Sequence, residues 1–295
     1  MDEVHGPSAP RADEGTSTTV GTNGVRLHAV RAGPEDGPLV VLLHGFPEFW
    51  YGWHEQIGPL ADAGYRVVVP DQRGYNLSDK PEGVARYGID ELAGDVTGLL
   101  DALGRESAHV VGHDWGAMVG WWTALHSPER VETLTAVNVP HPTVFRDRLR
   151  RSWRQRLRSW YALFFQLPRL PEAVARAGDH ALFVRTMRES SLAGTFGPED
   201  VRRYRAAWRR PGALTAMLNW YRALGRARPE PRRTTVDPPT LVVWGAGDRF
   251  LARSMARESV ERCRDGRLVT VEGATHWVHH EFPDRVTDLL FERFA

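Results

Sequence analysis

Apolar positions along the chain fall into two alternating rhythms. Short unbroken apolar runs recur at Pro38-Leu39-Val40-Val41-Leu42-Leu43, Tyr65-Arg66-Val67-Val68-Val69-Pro70, Ser107-Ala108-His109-Val110-Val111, residues 131–139, Thr240-Leu241-Val242-Val243-Trp244 and Arg267-Leu268-Val269-Thr270-Val271. Runs of this kind suit strands covered on both faces. Between them, residues 50–63, a stretch capped by Asp90 and reaching about Leu103, the stretch after Gly116, residues 253–264 and a closing segment 278–294 carry helical spacing. Strands alternating with helices predict a mostly parallel, doubly wound α/β sheet with crossover connections. Asn23-Gly24, between Thr18-Thr19-Val20 and residues 25–30, predicts a tight hairpin, so two antiparallel strands open the sheet.

The alternation stops between residues 140 and 238. Helical patterns around 150–165, 171–189 and 198–224 predict an all-helical insertion there. Such an insertion would cap the carboxyl edge of the sheet, where open α/β folds hold their ligands. The expected organisation is a core of residues 18–139 and 239–295, a helical cap of residues 140–238, and a polar N-terminal tail of residues 1–17. Pro7, Pro10 and Gly15 interrupt that tail, which is expected to be disordered.

Length and composition narrow the function classes. At 295 residues the chain can bury one large core. Lys+Arg 38 against Asp+Glu 37 leaves a formal charge of +1, so the bulk balance points to neither nucleic acid nor a membrane as partner. The Arg excess of the helical insertion is expected to form solvated helix faces. Cys263 is the only cysteine, which excludes an intramolecular disulfide and a cysteine-cluster metal site and fits a cytoplasmic location. No stretch is long and apolar enough to span a bilayer.

The strand ending at Val111 runs into Gly112-His113-Asp114-Trp115-Gly116 and then into a helix. This is the strand, sharp turn and helix of a nucleophile elbow, with Asp114 at the tip. A carboxylate there suits attack on an electrophilic sp3 carbon, and the ester so formed can be hydrolysed at its carbonyl. Asp248 follows the penultimate strand and His276 the last one, giving the nucleophile, acid, base order of the α/β-hydrolases. In this reading His276 takes a proton from water, and Asp248 orients it and stabilises the imidazolium. The backbone amides of Phe46 and Trp115 are placed to hold the oxyanion formed when water attacks the ester, and His44 supports that loop.

The motifs His44-Gly45-Phe46-Pro47-Glu48-Phe49-Trp50, Asp71-Gln72-Arg73-Gly74-Tyr75, Ser78-Asp79-Lys80-Pro81, Gly112-His113-Asp114-Trp115-Gly116 and Asn138-Val139-Pro140-His141-Pro142 resemble those of the soluble epoxide hydrolases of the α/β-hydrolase fold. The resemblance runs from about residue 18 to the C-terminus. It implies an epoxide hydrolase that needs no cofactor or metal, acts on a small apolar epoxide and works as a monomer or homodimer. Two lid tyrosines hydrogen-bond the epoxide oxygen in that family, and the segments around Trp160-Tyr161 and Trp220-Tyr221 make Tyr161 and Tyr221 the matching residues. Glu48 and His113 match positions that in some members help place the hydrolytic water. An exposed Glu and a packed His are the nearly equal alternative for those two. Asn138 cannot supply the triad carboxylate that some dehalogenase relatives carry at the end of that strand, which favours Asp248.

A haloalkane dehalogenase would use the same Asp nucleophile, with Trp115 and a second N–H donor cradling halide in place of two phenols. A non-catalytic ligand-binding protein on the same fold would be expected to lack a catalytic residue, and none is missing here.

Overall fold

A computed structural model describes residues 14–227 and 229–295. Eight strands, β1 (Thr16–Thr22), β2 (Val25–Ala32), β3 (Leu39–Leu43), β4 (Arg66–Pro70), β5 (Ala108–His113), β6 (Val131–Val137), β7 (Thr240–Gly245) and β8 (Gly266–Val271), form one sheet in the order β1-β2-β4-β3-β5-β6-β7-β8. β2 is antiparallel to both β1 and β4, and the remaining pairs are parallel. The unbroken apolar runs explain the central strands: every residue of β3, β5 and β7 is buried, as a strand needs when helices cover both faces.

The helices are α1 (His54–Asp62), α2 (Ile89–Ala102), α3 (Trp115–His126), α4 (Pro142–Arg151), α5 (Trp153–Arg158), α6 (Trp160–Phe164), α7 (Leu170–Ser190), α8 (Pro198–Trp208), α9 (Ala213–Ala227), α10 (Ser254–Val260), α11 (Val278–Glu281) and α12 (Pro283–Phe294). Among the described residues, those between β6 and β7 form helices and connecting loops, with Val236 bridging back to Cys263. None of the described helices is long and apolar enough to cross a membrane. Trp53, Trp121, Trp122 and Trp244 are buried packing residues, as expected from their apolar surroundings.

The structure corrects four local expectations. β1 begins at Thr16, paired with Arg31, so the last two residues of the expected tail belong to the sheet. Residues 1–13 of that tail lie outside the described residues. Gly88, not Asp90, occupies the N-cap of α2, and Asp90 in its first turn accepts the Trp122 indole N–H at 2.8 Å. α7 is interrupted where Gly178, Asp179 and His180 turn left-handed, a conformation that Gly and Asp tolerate best. The closing helix is split at Phe282, whose φ −135°, ψ 60° lies outside the helical region that a following proline disfavours.

Two indoles bind the insertion to the core. Trp208 Nε1 donates to the Pro47 carbonyl at 2.6 Å, and Trp220 Nε1 donates to the Arg73 carbonyl at 3.0 Å. Both acceptors lie on loops at the carboxyl ends of β3 and β4, so the insertion stands over the edge where those strands end.

Candidate active site

Two glycines form the turn between β5 and α3. A Cβ on Gly112 would lie 2.4 Å from the Gly116 backbone, and one on Gly116 would lie 2.1 Å from the Leu43 carbonyl oxygen. Neither position tolerates a side chain. Between them Asp114 is held at φ 47°, ψ −122°, a conformation that L-residues rarely adopt and that surrounding packing must enforce.

The Asp114 carboxylate has two distinguishable oxygens. Phe46 N–H donates to Oδ1 at 2.9 Å, while Oδ2 lies 3.7 Å from His276 Nε2. The Trp115 amide is the first of α3 and so has no intrahelical acceptor. His44 serves the loop beneath: its Nδ1 donates to the Gly45 carbonyl at 2.9 Å, and its Nε2 accepts the Gln72 amide at 3.0 Å.

On its other side, His276 Nδ1 donates to Asp248 Oδ2 at 2.8 Å. Asp248 is fixed by three further donors: Asn138 Nδ2 at 2.7 Å, Phe250 N–H at 2.7 Å and Leu251 N–H at 2.9 Å. Asn138 itself sits at φ 54°, and its Oδ1 accepts the Gly245 amide at 3.0 Å. The residue that sequence reasoning treated only as a missing carboxylate thus orients the carboxylate that is present.

Electrostatics follow from this geometry. Burial opposes charge on both groups, yet His276 and the Phe46 amide hold Asp114 below the usual carboxylate range. Burial likewise works against a charged His276, but Asp248 first and then Asp114 override it and push the imidazole up to about 10. A histidine whose folded pKa is raised contributes stability that is fully present below its unfolded value near 6.5 and is lost as pH rises through the folded one. Thermal stability of the wild-type protein should therefore fall between pH 7 and pH 10 more steeply than that of His276→Gln, measured as Tm against pH. Parallel slopes would refute the assignment of that charge.

Tyr161 on α6 and Tyr221 on α9 face the same space, with ring centroids 6.0 Å apart. Their helices are clamped together: Arg222 donates to the carbonyls of Phe165 and Leu167 and pairs with Glu172 at 2.8 Å, while Gln166 Nε2 reaches the Tyr221 carbonyl at 2.9 Å. Two apolar cavities of about 350 Å³ and 540 Å³ share Asp114, Tyr161, Tyr221 and Phe250 in their walls. Burial first, then the charge of Asp114, raises both phenols above their usual range, so both are protonated donors at neutral pH. The Trp115 ring stands edge-on to Tyr221, with ring centroids 5.0 Å apart.

Of the two alternatives for Glu48, the exposed one is excluded: its side chain is fully buried. Its Oε2 accepts from His113 Nδ1 at 2.7 Å, and its Oε1 from His280 Nε2 at 2.7 Å and Tyr204 Oη at 3.1 Å. His113 Nε2 in turn donates to the His276 carbonyl at 2.9 Å, tying this network to the triad. Burial would raise Glu48, but His279 and His113 hold it well below the carboxylate range. Ligand atoms of Glu48, His113 and His279 lie within 4.8 Å of one another. The set does not fit a metal ion, because both His113 nitrogens already face acceptors and offer no free lone pair. His279, His280 and Tyr204 escaped sequence reasoning. The Val278-His279-His280-Glu281 run so close to His276 was the available signal.

Comparison with known proteins follows the same lines. The family described as alpha/beta hydrolase fold matches residues 38–283. The AB hydrolase superfamily protein YfhM of Bacillus subtilis is 51% identical over 275 residues, covering 92% of this chain and 96% of that protein. Epoxide hydrolase A of Mycobacterium tuberculosis is 35% identical over 94% of this chain and 96% of its own length. The crystal structure of the Bacillus megaterium epoxide hydrolase in complex with an inhibitor superposes with a TM-score of 0.86 at 29% identity, covering 94% of this chain and 99% of that one.

Proposed function

The chain belongs to the α/β-hydrolase fold family and, within it, to the epoxide hydrolases, and from that premise we propose that it converts a small apolar epoxide and water into a vicinal diol through an ester on Asp114. The observation that carries the residue roles is the convergence of one ionised carboxylate and two protonated phenols on the same apolar space.

Phe46 N–H marks Oδ1 as the oxygen that stays in the protein, which leaves Oδ2 to attack an epoxide carbon. Ring opening places negative charge on the epoxide oxygen, where Tyr161 or Tyr221 donates a proton. The two events reinforce each other. Asp114 is among the charges that raise both phenols, and that charge disappears as the ester forms, so the phenols become stronger acids when a proton is needed.

Esterification also removes one of the carboxylates that keep His276 protonated. The imidazolium then releases its proton, which balances the one lost by the phenol, and becomes the base that the second step requires. Water loses a proton to His276 and adds to the ester carbonyl carbon. Oδ1 becomes the oxyanion, facing the amides of Phe46 and Trp115, and the diol departs with Oδ2. Collapse restores ionised Asp114 and protonated His276, so atoms and charges close over the cycle. Glu48 and His113 serve as positioning residues for this water, through the contact of His113 with the His276 carbonyl.

No step calls for a cofactor, and every side chain named comes from one chain, so a monomer suffices. The helical insertion acts as the cap of the site. A cytoplasmic setting belongs to the same proposal and rests on the single cysteine.

A panel of terminal and internal epoxides, assayed beside haloalkanes of matching carbon skeleton, tests the reading. Diol from the epoxides with no halide release is expected. Halide release without diol would overturn it.

A further inference from the structure

The bulk charge of +1 conceals a local imbalance in the helical insertion. Residues 146–158 contain seven arginines and a single acid, Asp147. Arg146 and Arg148 are paired with Glu230 and Glu258. Arg150, Arg151, Arg154, Arg156 and Arg158 are all exposed, and among the described residues none of them forms an ion pair. Interleaved with them are exposed apolar side chains: Trp153 and Trp160 are 63% and 61% exposed, and Leu157 and Leu163 are 61% and 76% exposed. Trp153 and Leu157, four residues apart, share one face of α5, and Trp160 and Leu163 are three apart on α6.

This stretch also rims the site. Arg156, Ser159 and Leu163 belong to the wall of the smaller cavity and Trp160 to that of the larger one. A side chain that lines a cavity and is still three-quarters exposed stands at its mouth.

We propose that α5 and α6 dock on the surface of an anionic lipid bilayer, with Trp153, Leu157, Trp160 and Leu163 entering the headgroup boundary and the unpaired arginines meeting lipid phosphates. Indoles and aliphatic side chains beside a basic cluster are the composition of a segment that lies in a membrane interface. A second copy of this chain fits the face poorly, because a two-fold contact sets five unpaired arginines against the same five. A nucleic acid accounts for the arginines but gives Leu157 and Leu163 no base edge or stacking partner. Docking there would open both cavity mouths toward the phase in which an apolar epoxide concentrates. The bulk charge balance, which points to no membrane partner, averages over this face and does not describe it.

Vesicle co-sedimentation of the full chain tests this without any turnover. Binding to equimolar phosphatidylcholine and phosphatidylglycerol is expected, weakening with added salt, with little binding to phosphatidylcholine alone. A variant carrying Arg150→Gln, Arg151→Gln, Arg154→Gln and Arg158→Gln should lose at least about a hundredfold in partition, since each basic residue near an anionic surface is worth roughly fivefold. Trp153→Ser with Leu157→Ser should also release the protein. Both variants should hydrolyse a water-soluble epoxide as the wild type does, which shows that they are folded. Equal binding to both vesicle types, or undiminished binding by the arginine variant, would overturn the proposal. So would a lipid-free dimer that Trp153→Ser with Leu157→Ser dissociates, or an oligonucleotide bound more tightly than the anionic vesicles.

Discussion

A His276→Gln enzyme mixed with an epoxide is expected to open the ring once and then stop, leaving the substrate's mass on the peptide that contains Asp114. The two half-reactions draw on different parts of the site. Alkylation needs the ionised carboxylate and the phenols, and glutamine leaves both in place. Hydrolysis needs a base at the Nε2 position, which glutamine does not supply. Loss of general base catalysis costs about 10²–10⁴-fold. The ester should therefore outlast quenching and digestion, whereas in the wild type it is transient. Removal of the imidazolium also removes the charge that depresses the Asp114 pKa, so alkylation by the variant should require a higher pH than in the wild type. A wild-type rate of steady turnover by His276→Gln would sink the role given to the base.

The phenols offer the second large effect. Tyr161→Phe or Tyr221→Phe alone should slow single-turnover ester formation by about 10²-fold, the usual cost of one donor to developing negative charge, or ~3 kcal/mol. Tyr161→Phe with Tyr221→Phe should nearly abolish it. The two losses are not expected to add, because the phenols face the same space and either can partly cover for the other. If the double variant opened epoxides at the wild-type rate, the phenols would have no part in the chemistry.

Much of this was legible because backbone geometry writes itself into residue type. Gly112 and Gly116 mark the elbow through contacts of 2.4 Å and 2.1 Å that no Cβ could make. Unbroken valine and leucine runs mark strands buried on two faces, and the chain positions just beyond their ends picked out Asp114, Asp248 and His276. What resisted reading was burial of charge. A glutamate is exposed by default, and nothing near Glu48 in sequence reveals the three histidines and the tyrosine that gather on it from β5, α8 and α11. The role of Asn138 as a donor to Asp248 was hidden for a related reason, since the two lie 110 residues apart along the chain. The helix boundaries in the insertion were blurred because dense arginine leaves little periodic contrast. The same arginines read only as solvated helix faces, and their pairing in three dimensions was needed to separate Arg146 and Arg148, which meet acids, from those that do not.

The central claim is that the oxygen delivered to the substrate comes from Asp114 and not directly from water. A single turnover with enzyme in excess, run in water labelled with heavy oxygen, tests it most directly. The account predicts an unlabelled diol, carrying the former Oδ2, and one heavy oxygen gained by the peptide containing Asp114. A labelled diol beside an unlabelled Asp114 peptide would contradict it, because water would then have attacked the epoxide itself.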